Sequence, residues 1–199
     1  MTRRALGMVA SLLLVALSAT SESGGQGRVE VAVFAGGCFW CVEADFDKVA
    51  GVLSTTSGYT GGSLSNPTYQ QVSSGGTGHV EAVRVEFDPA VVTYGALLDH
   101  FWKSVDPFNG RGQFCDTGEP YRPVIFTSTA AQKARAEASR QAVQARFKER
   151  IAVEIAPAGP FYAAEAYHQD YYKKNPVRYR FYRWNCGRDS RLARVWGGT

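Results

Sequence analysis

The sequence predicts an α+β two-layer sandwich with long loops and an extended C-terminal segment, on three observations. Apolar runs of strand length alternate with stretches of helical spacing, and several strands lie near enough in sequence to pair as hairpins. No internal repeat or low-complexity block interrupts that order. With 199 residues, 45% hydrophobic and 20% charged, the chain can build one real core and is not of disordered composition.

The first residues stand apart. Arg3 and Arg4 precede an apolar run over 5–19 that ends in Ala16-Leu17-Ser18-Ala19, the pattern of a secretory signal peptide. The alternative is an uncleaved membrane anchor, for which the run is short, since a span needs roughly 20 apolar residues. Residues 20–27 (T-S-E-S-G-G-Q-G) read as a flexible linker. The predicted division is a signal peptide over 1–19, a linker over 20–27 and a single domain over 28–199, exported to the periplasm. Removing Arg3 and Arg4 takes the formal charge from +4 to +2, too small a surplus to argue for a nucleic-acid partner.

Within the domain, residues 29–35 are an apolar run broken only by Glu30 and predict a buried strand. Gly36-Gly37 lets the chain turn, and Cys38, Val42 and Phe46 recur at helical spacing, predicting a helix over 38–49. A strand over 52–59 ends in G-Y-T-G-G, and Asn66-Pro67 opens a short helix that Gly75-Gly76 stops. Residues 79–88 read as a strand and 93–105 as a helix whose buried stripe is Leu97, Leu98, Phe101 and Trp102. The stretch 106–120, with two prolines and three glycines, is a loop long enough to suggest function. Then come a strand over 124–127, a long helix capped by Ser128 or Thr129, a strand over 151–156, a helix over 165–174 and a basic, aromatic tail.

The chemistry concentrates in G-G-C-F-W-C at 36–41. A cysteine at a helix N-terminus has unpaired N–H groups and the helix dipole to favour its thiolate. Phe39 and Trp40 beside it can wall an apolar pocket for a small group. Glu81 shares a strand face with Val83, Val85 and Phe87, where burial would raise its pKa and make it a proton donor near neutral pH; near the strand's start it could equally reach solvent. In the long loop Asp116 stands between Cys115 and Tyr121, groups that can bind an oxygen or simply hold the loop by Asx turns. Cys38 and Cys41 form a C-x-x-C, though thioredoxin-type sites usually place Trp before the first Cys. His79, His100 and His168 show no ligand spacing with the cysteines, so no metal site is expected. The run Arg178-Tyr179-Arg180-Phe181-Tyr182-Arg183-Trp184 could stack on single-stranded nucleic acid; the simpler reading packs the aromatics on the domain with the arginines outward.

These features together resemble peptide methionine sulfoxide reductase A over residues 29–197. The blocks are G-G-C-F-W-C-V-E at 36–43, S-G-Y-T-G-G at 57–62, N-P-T-Y at 66–69, G-T-G-H-V-E-A-V at 76–83 and F-W-K-S-V-D-P at 101–107. G-Q-F-C-D-T-G at 112–118, Y-H-Q-D-Y-Y at 167–172 and C-G-R-D-S-R-L at 186–192 follow in order. The resemblance implies a ferredoxin-like mixed sheet core. It implies Cys38 as nucleophile on the sulfoxide sulfur, Phe39 and Trp40 around the S-methyl group, and Glu81 as proton donor to the sulfoxide oxygen, with Tyr69, Asp116 and Tyr121 orienting that oxygen or a water. As is known of these reductases, each acts on one sulfoxide epimer, here the S epimer of free or protein-bound methionine sulfoxide. The Cys38 sulfenic acid would condense with a second cysteine, and thioredoxin or a similar dithiol would reopen the disulfide, with no other cofactor. Some members carry the resolving cysteine just after N-P-x-x-Y, where this chain has Arg180. Cys186 is the first candidate, Cys41 the second and Cys115 the third. Where many relatives have Gln before the second tyrosine, this chain has Pro120. The expected protein is a monomer without a stable membrane span after cleavage.

Two other readings give different expectations. A thioredoxin-like oxidoreductase would use Cys38 and Cys41. A binding module stapled by Cys115–Cys186 would hold both of those thiols oxidised, whereas the catalytic reading expects an exposed thiol of low pKa.

Overall fold

The computed structural model describes residues 1–2 and 28–197. The expected signal peptide, from residue 3 onward, and the linker lie outside the described residues. In chain order the elements are β1 (Glu30–Ala35), α1 (Phe39–Phe46), β2 (Val52–Thr60), α2 (Tyr69–Ser73), β3 (Val80–Phe87), α3 (Tyr94–Ser104), β4 (Gly112–Gln113) and β5 (Asp116–Thr117). A 3-10 turn (Glu119–Tyr121) follows, then β6 (Val124–Thr127), α4 (Ala130–Gln144), β7 (Glu154–Pro157), β8 (Tyr162–Ala163), α5 (Tyr171–Lys174), α6 (Pro176–Asn185) and α7 (Arg188–Trp196). Among the described residues no helix is long and apolar enough to cross a membrane.

The main sheet runs β7-β6-β1-β3-β2-β8. Its central four strands are antiparallel in the order β6-β1-β3-β2. With α1 and α3 as the crossovers, that is the strand–helix–strand–strand–helix–strand unit of a ferredoxin-like core. Only β7 is added in parallel, beside β6. Side-chain alternation divides the two faces. Phe34 stands opposite Val83 on one side and Ile125 on the other, and with Val85 and Phe87 these meet the helical layer. The Phe34 ring stacks on Phe46 of α1 at 4.9 Å and on Phe101 of α3 at 5.2 Å, so one strand residue ties both helices to the sheet. Val33, Ala35, Val80, Ala82, Val124 and Phe126 form the other face, covered by Ala156, Ala158 and Phe161.

Differences from the expected elements have local causes. The strand expected over 151–156 starts at Glu154, because Ile151 N–H is drawn to Gln144 Oε1 and Ala152 N–H to the Pro107 carbonyl, outside the ladder. The helix expected over 165–174 is confined to α5: Gln169 instead bonds both backbone groups of Ser57, and Asp170 sits at φ +53°. The long loop contains the β4–β5 hairpin. The C-terminal segment is helical, α6 beginning on Pro176, where a missing N–H costs nothing. Its aromatics divide: Tyr179 is buried, whereas Phe181 and Trp184 point to solvent.

Candidate active site

The site begins at the turn between β1 and α1. Gly37 has φ +81°, and a Cβ there would stand 2.5 Å from Gln113 Cβ. Gln113 is wholly buried and pins the long loop, accepting from Asp106 N–H at 2.8 Å and donating to the Asp106 and Asn109 carbonyls. The loop therefore packs on the nucleophile's own turn. Gly37→Ala is expected to cost about 2–5 kcal/mol, from left-handed strain plus overpacking; a thermal melt matching the parent would contradict it.

Cys38 is the N-cap of α1, its carbonyl accepting from Cys41 N–H at 3.0 Å, and its side chain makes no cap bond. The first free N–H of the helix, that of Phe39, is taken by Glu81 Oε2 at 2.9 Å. Glu81 lies on β3 and is 3% exposed, so of its two sequence-level readings burial is the one found. Burial pushes its pKa up to about 8, the charges on Asp116 and Cys41 add to the rise, and the Phe39 N–H opposes it. The carboxyl is thus a neutral acid at pH 7, poised beside a cysteine.

The expected lowering of the Cys38 pKa is not what the structure shows. Burial, the hydrogen bond it gives Cys41, and the charges of Cys41, Glu81 and Asp116 all push the Cys38 thiol well above its usual value. The physical reason is burial first: the sulfur is out of water, the Phe39 N–H is taken by Glu81, and the charges nearest it are negative. The thiol brought down, to about 7, is Cys41. Its hydrogen bond from Cys38 is the main cause, and the cations Arg188 and Arg183 help against burial. Both thiols are free and buried, at 6% and 2% exposure. The exposed low-pKa thiol expected of catalysis is therefore not present in that form. Equally, a disulfide exchanger needs a sulfur its partner can reach, which disfavours the Cys38–Cys41 exchange reading.

The other expected residues converge here. Burial raises the hydroxyl pKa values of both Tyr69 and Tyr121, and the charges of Glu81, Cys38 and Asp116 raise them further, which places both phenols around the same centre. Tyr69 heads α2, and its N–H is held by Glu165 Oε1 at 2.9 Å. Asp116 is half-buried, with its pKa raised by burial against the hydrogen bond from Tyr182. Phe39 is buried in the core, so Trp40 is the more accessible wall.

Four contributors were not identified from sequence. Trp40 stacks on Tyr171 at 3.7 Å, nearly parallel, and its Nε1–H donates to His168 Nδ1 at 3.0 Å. Because an indole only donates, His168 must accept at Nδ1 and carry its proton on Nε2; burial lowers its pKa and keeps the ring neutral. The His168 ring also lies against Phe39 and Tyr69, at 4.9 and 4.6 Å, completing an aromatic box. The Tyr182 hydroxyl donates to Asp116 Oδ2 at 2.5 Å and reaches Cys38. The fourth, Arg188, is buried behind the site. The blocks at 167–172 and 186–192 contained His168, Tyr171 and Arg188, but no periodicity marked them.

Cys115 and Cys186 form a disulfide with Cα atoms 4.8 Å apart. It joins the first and third resolving candidates and is also the pairing the binding-module reading named. Its two sulfurs and an Asp116 oxygen lie within 4.8 Å of one another. Asp116 touches both ends of this arrangement, meeting Cys115 Sγ at 3.7 Å and accepting from the Tyr182 hydroxyl that reaches Cys38. Cys115 is exposed and Cys186 half-buried.

Comparison with known proteins points to one family. The family described as peptide methionine sulfoxide reductase matches residues 30–199. The chain is 51% identical over 197 residues to peptide methionine sulfoxide reductase MsrA 2 of Caulobacter vibrioides, covering 98% of this chain and 100% of that one. It is similar to the solved methionine sulfoxide reductase A of Corynebacterium diphtheriae, with TM-score 0.70 and 36% identity over 77% of this chain and 78% of that one. It is also similar to reduced Mxr1 of Saccharomyces cerevisiae, with TM-score 0.73 and 30% identity over 76% of this chain and 88% of that one. Mxr1 has also been solved in complex with Trx2; against that structure the likeness, TM-score 0.53 at 21% identity over 76% of this chain and 90% of that one, is one of fold.

Proposed function

The chain belongs to the peptide methionine sulfoxide reductase A family and reduces methionine sulfoxide to methionine, and from that premise we propose that it acts on the S epimer with Cys38 as nucleophile and Glu81 as acid. The observation that carries this division is the pairing of a free Cys38 with a buried carboxyl whose pKa is about 8. The sulfoxide methyl group enters between Trp40 and Phe39, with Trp40 held by Tyr171 and His168. Glu81 gives its proton to the sulfoxide oxygen as the Cys38 sulfur attacks the substrate sulfur. In the adduct so formed the hydroxyl passes from the substrate sulfur to the Cys38 sulfur, the S–O and S–S bonds to the substrate break, and methionine leaves behind a Cys38 sulfenic acid. Tyr69, Tyr121 and Asp116 surround that oxygen.

Cys186 then condenses with the sulfenic acid, releasing water and forming Cys38–Cys186. The Cys115 thiol attacks Cys186, closes Cys115–Cys186 and returns the proton and electron pair to Cys38. The disulfide seen beside free Cys38 supports this order. A protein dithiol of the thioredoxin type attacks the exposed Cys115 sulfur and leaves as its own disulfide, so each turnover consumes two reducing equivalents. The Mxr1 complex supports such a partner. With the N-terminal pattern of an exported protein, those equivalents require a thiol relay in the outer compartment.

The pH profile tests the acid–nucleophile pair. Cys41 loses its proton as pH rises through about 7, giving the cysteine pair one negative charge that a proton shift can place on Cys38, and Glu81 loses its proton as pH passes about 8. Since the attack needs one negative charge on the Cys38–Cys41 pair and a neutral carboxyl at Glu81, kcat/KM should rise through the first value and fall beyond the second. Glu81→Gln should erase the falling limb. A profile that keeps climbing to pH 9.5 in the parent enzyme would rule out Glu81 as the acid.

A further inference from the structure

Arg188 is 2% exposed, a place where a guanidinium is costly unless it is well partnered. It follows Cys186 by two residues, across Gly187 at φ +65°. One arm donates to the Gly36 carbonyl at 3.3 Å, in the turn that carries Cys38. The other donates to the Ser104 carbonyl at 2.7 Å, at the end of α3. The flat guanidinium covers the Phe114 ring at 4.5 Å. Phe114 precedes Cys115 and sits at φ +58°, a backbone state that a bulky residue holds only when its surroundings impose it. Asp45 of α1, 3.9 Å from Nε, is already bonded twice by Arg183 at 3.0 Å, and Arg188 Nε has no hydrogen-bond partner. The ion pair with Asp45 is therefore long and shared, and the hydrogen bonds of Arg188 go to backbone carbonyls. From its place two residues after Cys186 it touches the nucleophile's turn, the end of α3 and the Cys115 loop at once.

We propose that Arg188 is a positioning residue for the resolving step, clamping the Cys115 loop and the Cys186 turn against the Gly36-Gly37-Cys38 turn so that oxidation can pass from Cys38 to that cysteine pair. This rests on the reading that Cys186 and Cys115 receive the oxidation. Arg188 touches no substrate atom and acts on sulfoxide reduction only through its charge near Cys41, so its loss should slow closure far more than reduction. The role belongs to the planar fork and its stacking face, which lysine lacks.

The test is a rapid-quench single turnover on the full chain. Fully reduced enzyme is mixed with one equivalent of N-acetyl methionine S-sulfoxide, and methionine, Cys115–Cys186 closure and dimedone-trapped Cys38 sulfenic acid are followed in time. In Arg188→Lys and Arg188→Met, closure should slow at least about tenfold more than methionine formation does, as expected when reacting groups lose alignment. Trapped sulfenic acid should accumulate accordingly. Phe114→Leu, which removes the stacked ring but leaves the guanidinium fork, should shift closure in the same direction by less; with Arg188→Lys it keeps the test decisive if Arg188→Met fails to fold. Closure at the parent rate, or methionine formation and closure slowed by one common factor, overturns the role. If the parent itself comes to rest as Cys38–Cys41, the relay fails and the role of Arg188 falls with it.

Discussion

Glu81→Gln is expected to lower kcat by about 10²–10⁴-fold, the usual worth of a positioned general acid, with folding intact. The substituted amide has nearly the shape of the protonated carboxyl, and its carbonyl can still accept the Phe39 N–H that Glu81 accepts at 2.9 Å. What it cannot do is release a proton to the sulfoxide oxygen. The site makes this loss severe because Glu81 is buried and its carboxyl is held neutral near pH 7. Tyr69 and Tyr121 are poor substitutes, since burial and the surrounding acids raise their hydroxyl pKa values further. Steady-state turnover on N-acetyl methionine S-sulfoxide, alongside a thermal melt, checks this. Turnover close to the parent's would remove Glu81 from the chemistry.

Cys186→Ser should separate the first turnover from all later ones. Reduced enzyme should release about one methionine per active site at near the parent rate, because Cys38, Glu81 and the aromatic box are untouched. Steady-state turnover with thioredoxin should then fall about 10²-fold or more, since the sulfenic acid lacks the thiol held in alignment with it. A staple would behave differently. Cys115 and Cys186 are 71 residues apart, and losing a cross-link of that span removes about 4 kcal/mol in the chain-entropy description. A purely structural bond therefore predicts a lower melting temperature with unchanged turnover. A burst followed by stalling identifies a relay, and parent-like turnover would leave only the staple.

Much of this was legible from sequence because it was local. The apolar run over 29–35, the paired glycines and the alternation around Glu81 each carry their own geometry, and they mark β1, the turn and the strand face on which Glu81 lies, while leaving its burial open. The position of the proton on the thiols was not legible. Helix N-terminal geometry argues for a thiolate at Cys38, but the sequence does not reveal that Glu81, 42 residues away, takes the Phe39 N–H. Nor could spacing show that Arg188 and Arg183 would lie near Cys41 and not favour its neighbour. His168, Tyr171 and Tyr182 were missed for the same reason: each is brought to Trp40 or Asp116 by the C-terminal segment, whose helices present aromatics to both the core and solvent. The long loop was recognised as functional from its glycines and prolines, while its hairpin, two residues to a strand, is too short for any period to register.

The most direct measurement is the location of oxidation after a single event. Fully reduced enzyme would be given one equivalent of N-acetyl methionine S-sulfoxide without recycling reductant, and its cysteines mapped by mass spectrometry. The expected result is one methionine per chain, a Cys115–Cys186 disulfide, and Cys38 and Cys41 recovered as thiols. No methionine from folded protein with a free Cys38 would contradict the assigned chemistry. Methionine accompanied by a Cys38–Cys41 disulfide, with Cys115 and Cys186 still reduced, would contradict the route by which it is completed.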